Sequence, residues 1–274
     1  MKYHYLIAIT LLALVFYLSS LSIAADTAIP TQYQVKLSAA EKQYIAHKIW
    51  LNEGAGKKEN LMVWNKGENF PSLGIGHFIW FPKNLDSPYT ESFPSLLAEL
   101  QNHPKFPKWL NPSSDSPWST RKEFKENLTS ARSKQIQQLL SDTFIEQLDF
   151  IINRMEESLP KILLSINNSN QREHVKRQFY RVANEPNGIY ALIDYVNFKG
   201  EGTSAKEKYQ SQGWGLLQVL ERMDPDNQDI ILEFVNSAKY VLKRRTKNSH
   251  RNEAQWLQGW NKRLDTYLVY TRND

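Results

Sequence analysis

The sequence predicts an α+β fold, mostly helical, with a small antiparallel β-hairpin region near the N-terminus. Two patterns carry this expectation. From Lys134 onward, apolar residues recur every three to four positions through successive segments, the period of one helix face. Before that, two short apolar runs, residues 61–64 and 73–80, flank the turn-rich Asn65, Lys66, Gly67, Glu68 and Asn69, as hairpin strands do. Composition agrees. Of 274 residues, 41% are hydrophobic and 23% charged, enough to build a core and too apolar for a disordered chain.

The elements follow in order. Residues 1–24 have the three parts of a secretory signal: Lys2 with no nearby acid, an almost wholly apolar run over 6–18, then Ser22, Ile23 and Ala24 with small residues first and third. The apolar run is shorter than the roughly 20 residues a spanning helix needs, so cleavage after Ala24 is expected rather than a retained anchor. Residues 25–37 read as a linker, and 38–274 as one domain. Ser38 and Glu41 form a capping box, so a helix should follow. It carries Tyr44, Ile45, Ile49 and Trp50 near one face and stops at Gly54 and Gly56.

The hairpin comes next. Seven of the 12 Pro then fall between Pro82 and Pro117, so 82–118 is expected to be an irregular surface excursion, helical at most around 95–100. Ile136, Leu139, Leu140, Phe144, Leu148, Ile151, Ile152, Met155 and Leu159 predict one helix running to Pro160. Val175, Phe179 and Val182 mark another, and residues 190–196 are apolar enough for a buried one. Three more are expected over 214–223, 230–242 and 253–267.

Composition also excludes classes of function. There is no Cys, which removes disulfides, Cys-ligated zinc, iron–sulfur clusters, c-type haem and Cys nucleophiles. No cofactor is indicated. The formal net charge of +5 suits an anionic polymer or surface without demanding nucleic acid. Eight Trp and 13 Tyr provide flat rings suited to stacking on sugars, although a Trp is as readily a core residue.

Two blocks can carry chemistry. Glu53 lies on the last turn of the first helix, where the negative end of the helix dipole disfavours ionisation, and Trp50 would add desolvation if it lined the same cleft. A carboxyl that keeps its proton is what a general acid needs. Ser72, Leu73, Gly74, Ile75, Gly76 and His77 alternate Gly with apolar residues, which allows close approach by another backbone or a ligand. His77 is expected to serve as a structural hydrogen-bonder near Glu53.

Together the helix ending in Asn52, Glu53 and Gly54, the hairpin, and the run from Ser72 to His77 resemble the entry of phage-type lysozymes, in the lysozyme-like superfamily of peptidoglycan-cleaving enzymes. The resemblance implies a lysozyme-like fold with Glu53 as catalytic acid, Ser72 at the catalytic water or sugar, and His77 packed near Glu53. Residues 190–198 with Gly200 and Gly202 are similar to the family's central buried helix and the bend after it. Trp256, Gly259, Trp260, Arg263 and Tyr267 resemble its C-terminal segment. The family's Asp, six positions before the hydroxyl residue, is replaced here by Lys66. Glu68 is the nearest acid and a candidate substitute; otherwise the second carboxylate is absent, as in lytic transglycosylases. Gly215, Leu216, Leu217 and Gln218 are similar to a motif of those enzymes but lie too far from Glu53 in sequence to be the same element.

Further along, Asn197 and Glu201 are candidates for the sugar cleft, with Asp194 either a local cap or a site residue. Trp64, Trp80 and Trp214 are candidate sugar platforms, each also compatible with a place in the core. Lys243, Arg244, Arg245 and Lys247 read as a solvated helix end. The function expected is an exported, periplasmic or secreted, muramidase-like glycosidase acting as a monomer on peptidoglycan, with no nucleic-acid partner. The alternatives are a single-Glu lytic transglycosylase and a catalytically silent wall-binding module.

Overall fold

The computed structural model describes residues 33–87 and 89–269. The signal segment expected over 1–24 lies outside them. The fold is mostly helical α+β: ten α-helices and two small antiparallel sheets among the described residues. No helix in this part is long and apolar enough to cross a membrane.

Helix α1, Ala39–Gly54, begins at the expected capping box: the Glu41 amide donates to Ser38 Oγ and the Ser38 amide to Glu41 Oε2. It ends where Ala55 takes a left-handed conformation. Ile45, Ala46 and Ile49 form its buried face. Strands β1 (Met62–Val63), β2 (Ser72–Leu73) and β3 (Phe78–Ile79) form the first sheet in that order, with Val63 opposite Ser72 and Ser72 opposite Ile79. The run predicted as one strand over 73–80 is therefore divided. Gly74 and His77 both have positive φ, +77° and +49°, and turn the chain between β2 and β3.

The Pro-rich stretch is packed rather than superficial. Helix α2, Phe93–Leu100, buries Phe93, Leu96, Leu97 and Leu100, and Leu110 and Trp118 join the same core. Trp80 lies edge-on to Trp118 and donates from its indole to the Ser114 carbonyl. Pro does keep the rest of this stretch without regular structure, as expected. Residues 33–37, predicted as linker, also pack: Tyr33 meets Phe179 edge-on and the Val35 amide donates to Glu156.

Helices α3 (Arg121–Asn127), α4 (Ala131–Asp142) and α5 (Phe144–Leu164) follow. The single helix predicted to run to Pro160 is broken at Thr143 instead, and Pro160 lies inside α5. Thr143 takes φ −120° and ψ 35°, and its buried hydroxyl bonds the Leu139 carbonyl, closing α4 locally. Helices α6 (Ser169–Ala183) and α7 (Gly188–Lys199) come next. A second sheet pairs β4 (Lys208–Tyr209) with β5 (Gln212–Gly213) through Gln210 and Ser211, both at positive φ as a two-residue hairpin turn requires. Helices α8 (Leu216–Arg222), α9 (Ile230–Asn248) and α10 (Leu257–Asp265) complete the body. The basic run on α9 is not wholly solvated. Arg245 is buried and paired through two hydrogen bonds, 2.7 and 3.0 Å, with the fully buried Glu253.

Candidate active site

The last turn of α1, the Gly74–His77 turn, the C-terminal half of α7 and helix α10 meet at Glu53. Arg263 on α10 donates from Nη1 to Glu53 Oε1 at 2.7 Å. It also grips Asp194 on α7 in a bidentate pair, Nε to Oδ2 and Nη2 to Oδ1, each 2.8 Å. Asp194 is fully buried and accepts further hydrogen bonds from Tyr267 Oη and Asn52 Nδ2. Burial alone would lower the Arg263 pKa, but the charges of Asp194 and Glu53 hold it well above the usual arginine value. Tyr267 is pushed well up by burial and then by Asp194. The guanidinium is thus a fixed cation linking two carboxylates distant in sequence.

His77 completes the ring of contacts. Its Nε2 lies 3.2 Å from the Asn60 carbonyl and its Nδ1 3.5 Å from Glu53 Oε2. A carbonyl only accepts, so Nε2 carries hydrogen. Nδ1 thus faces the Glu53 carboxyl. Asn197 donates from Nδ2 to Glu53 Oε1 at 3.3 Å and to the Gly76 carbonyl at 3.2 Å.

The glycines of the turn have steric reasons. A Cβ on Gly74 would lie 2.3 Å from Gln147 Oε1, and one on Gly76 would lie 2.8 Å from Phe78 and 2.9 Å from Asn197 Oδ1. Gln147 is fully buried on α5. It accepts from the Ile75 amide at 2.9 Å while its own amide donates to the Leu140 and Thr143 carbonyls. It pins the turn that aims His77.

A cleft of about 620 Å³ opens beside this cluster. His77, Asn197, Glu201 and Trp214, four of the residues singled out from sequence, line it. Glu53 lies one layer back, its side chain 15% exposed, against His77 and Asn197. Trp214 lines the cleft edge but is 5% exposed, its ring covered by Tyr209 and by the Arg245 guanidinium 4.1 Å from its centroid, so it offers no open face to a sugar; Trp80 is fully buried against Trp118. Trp64 is not a cleft platform. It is 6% exposed, packs on Phe124 and donates to the Glu68 carbonyl, because the short β1 strand turns it into the core. Ser72 is 5% exposed at the centre of the sheet and is not a lining residue. Glu68 accepts from Asn65 Nδ2 at 3.1 Å. Burial raises its pKa, the Asn65 bond opposes this, and the charge of Glu53 raises it further, so the two carboxylates share one electrostatic neighbourhood.

Sequence reasoning did not select Arg263, Gln147 or Lys199 as site residues. Gly215–Gln218, set aside on sequence distance, proves to be adjacent: the Leu216 and Leu217 amides donate to the Gly200 and Glu201 carbonyls, and Gln218 Nε2 donates to the Gly202 carbonyl. Its role is to hold the loop that follows α7 at the cleft edge. Among the described residues no group of three or more His, Asp or Glu is arranged to hold a metal ion. No protein-family model, curated protein or solved structure matches the chain.

Proposed function

We propose that the chain is an exported, muramidase-like glycosidase of the lysozyme-like superfamily that cleaves peptidoglycan, with Glu53 as general acid. The observation that carries this reading is Glu53 held against His77, Asn197 and Arg263 directly behind an open cleft. Arg263 and Asn197 engage Oε1 and leave Oε2, on the His77 side, as the oxygen that would carry and deliver the proton. Protonation of the glycosidic oxygen lets the bond break toward an oxocarbenium-like transition state.

A single-carboxylate course, as in lytic transglycosylases, is the favoured variant. Lys66, where the family acid would stand, is exposed, and Glu68 spends its hydrogen bond on Asn65. The silent binding module is the competing reading. A zymogram on purified cell walls tests all three. Clearing lost in Glu53→Gln and kept in Glu68→Gln is the expected result. Loss in both variants favours a two-carboxylate mechanism. Wall binding by the unaltered protein without clearing supports the binding module.

A further inference from the structure

We infer that Lys199 is an anion-binding residue of the cleft, whose ammonium takes a carboxylate carried by the bound glycan. The inference deepens the reading above and rests on it for the identity of the polymer. Lys199 ends α7 and lines the cleft. Its Nζ lies 3.8 Å from the ring centroids of both Phe198 and Trp260. Two aromatic faces hold a cation in place but offer no acceptor for its three N–H donors. Among the described residues no carboxylate or carbonyl accepts from it.

Its neighbours are differently provided for. Arg245 is paired with Glu253, and Arg263 with Asp194 and Glu53. Glu53, Asp194 and Glu253 hydrogen-bond these arginines, and none of them, nor Glu201 or Glu207 on the cleft wall, accepts from Lys199. The charged groups acting on it are Arg245, Arg263, Glu53 and Glu253. Burial, then Arg245 and Arg263, pushes its pKa well down, while Glu53 and Glu253 act the other way. An incoming carboxylate supplies the missing acceptor. The wall polymer has such groups: a muramic acid unit bears a lactyl carboxylate where no peptide is attached, and where one is attached the lactyl group is an amide and the peptide carries its own carboxylates, whereas the alternating glucosamine unit bears none. Lys199 thus distinguishes one sugar of the repeat from the other and sets which bond lies next to Glu53.

The test uses the full chain with N-acetylmuramic acid and with its methyl ester, which keeps the shape and removes the charge. Binding is followed by NMR titration. The acid should bind about tenfold tighter than the ester, the lower end of what a hydrogen bond to a charged group supplies. Lys199→Gln should abolish the preference and Lys199→Arg should retain it. Equal binding of acid and ester, a preference that survives Lys199→Gln, or no binding of the acid at 10-millimolar scale would overturn the assignment. No cleavage is needed for this result. A protein that prefers the acid but never clears walls defeats the proposed activity alone, and one that clears walls without the preference defeats the role of Lys199 alone.

Discussion

Replacing Arg263 with Met removes the cation that holds three elements together. Asp194 is fully buried and loses both arms of its bidentate pair, and Glu53 loses its 2.7 Å donor. The Tyr267 and Asn52 hydrogen bonds to Asp194 remain, but no positive charge does. Adding charged hydrogen bonds one by one would overshoot, because desolvation of the ions opposes them. Measured losses on breaking a buried pair from one side are about 3–5 kcal/mol. For a chain of this size, 1 kcal/mol moves Tm by roughly 2–4 °C, so Arg263→Met should lower Tm by about 6–20 °C. Urea denaturation followed by tryptophan fluorescence gives the free energy directly. The double variant Asp194→Asn with Arg263→Met removes the stranded charge as well and should recover part of the loss. Arg263→Lys should fall between, since an ammonium cannot reproduce the fork. A loss below about 1 kcal/mol for Arg263→Met, or a double variant as unstable as the two single losses added, would refute the reasoning.

The remaining predictions concern the turn, the histidine and the second buried pair. Gly74→Ala forces a side chain into a left-handed backbone, at about 1–2 kcal/mol, and drives its Cβ onto Gln147, so the urea midpoint should fall by the equivalent of at least 2 kcal/mol. His77→Gln loses the contacts to Asn60 and Glu53 and should reduce stability by about 1–2 kcal/mol in urea denaturation; an unchanged Tm would remove its structural role. Burial would raise the Glu253 pKa, but the Arg245 bonds outweigh it and hold it below the usual 4.5. A carboxylate depressed in the folded state contributes stability above its unfolded value and loses it as pH falls through the folded one. Glu253→Gln should therefore be destabilised at pH 7 and show a flatter loss of stability below pH ~4.5, measured as Tm against pH.

The fold was legible wherever local patterns decide structure. The Ser38–Glu41 box, the apolar face of α1 and the helical periods of α6, α7 and α9 needed no partner to be read. What escaped does not show in the apolar period. At Thr143 the hydroxyl bonds the Leu139 carbonyl four residues back, inside a run whose apolar spacing continues unbroken, and the core side chains of 93–118 were hidden by the prolines between them. In the site, Glu53 and His77 stood close enough in sequence to be joined by one motif. Arg263 is 210 residues from Glu53 and 69 from Asp194, and a buried ion pair leaves no periodic trace in sequence. Arg245 looked solvated because its run is basic, and only Glu253 across a turn explains its burial.

The central claim is that Glu53 delivers the proton that breaks a wall glycan. The most direct measurement is the initial rate of muropeptide release from purified peptidoglycan, read by mass spectrometry, for the unaltered protein and for Glu53→Gln. Gln keeps the size of the side chain and removes only the acid. The account predicts release by the unaltered protein and a rate lower by about 10²–10⁴ in the variant, the usual contribution of a general acid. Equal rates for the two proteins, or no muropeptide from either, would contradict it.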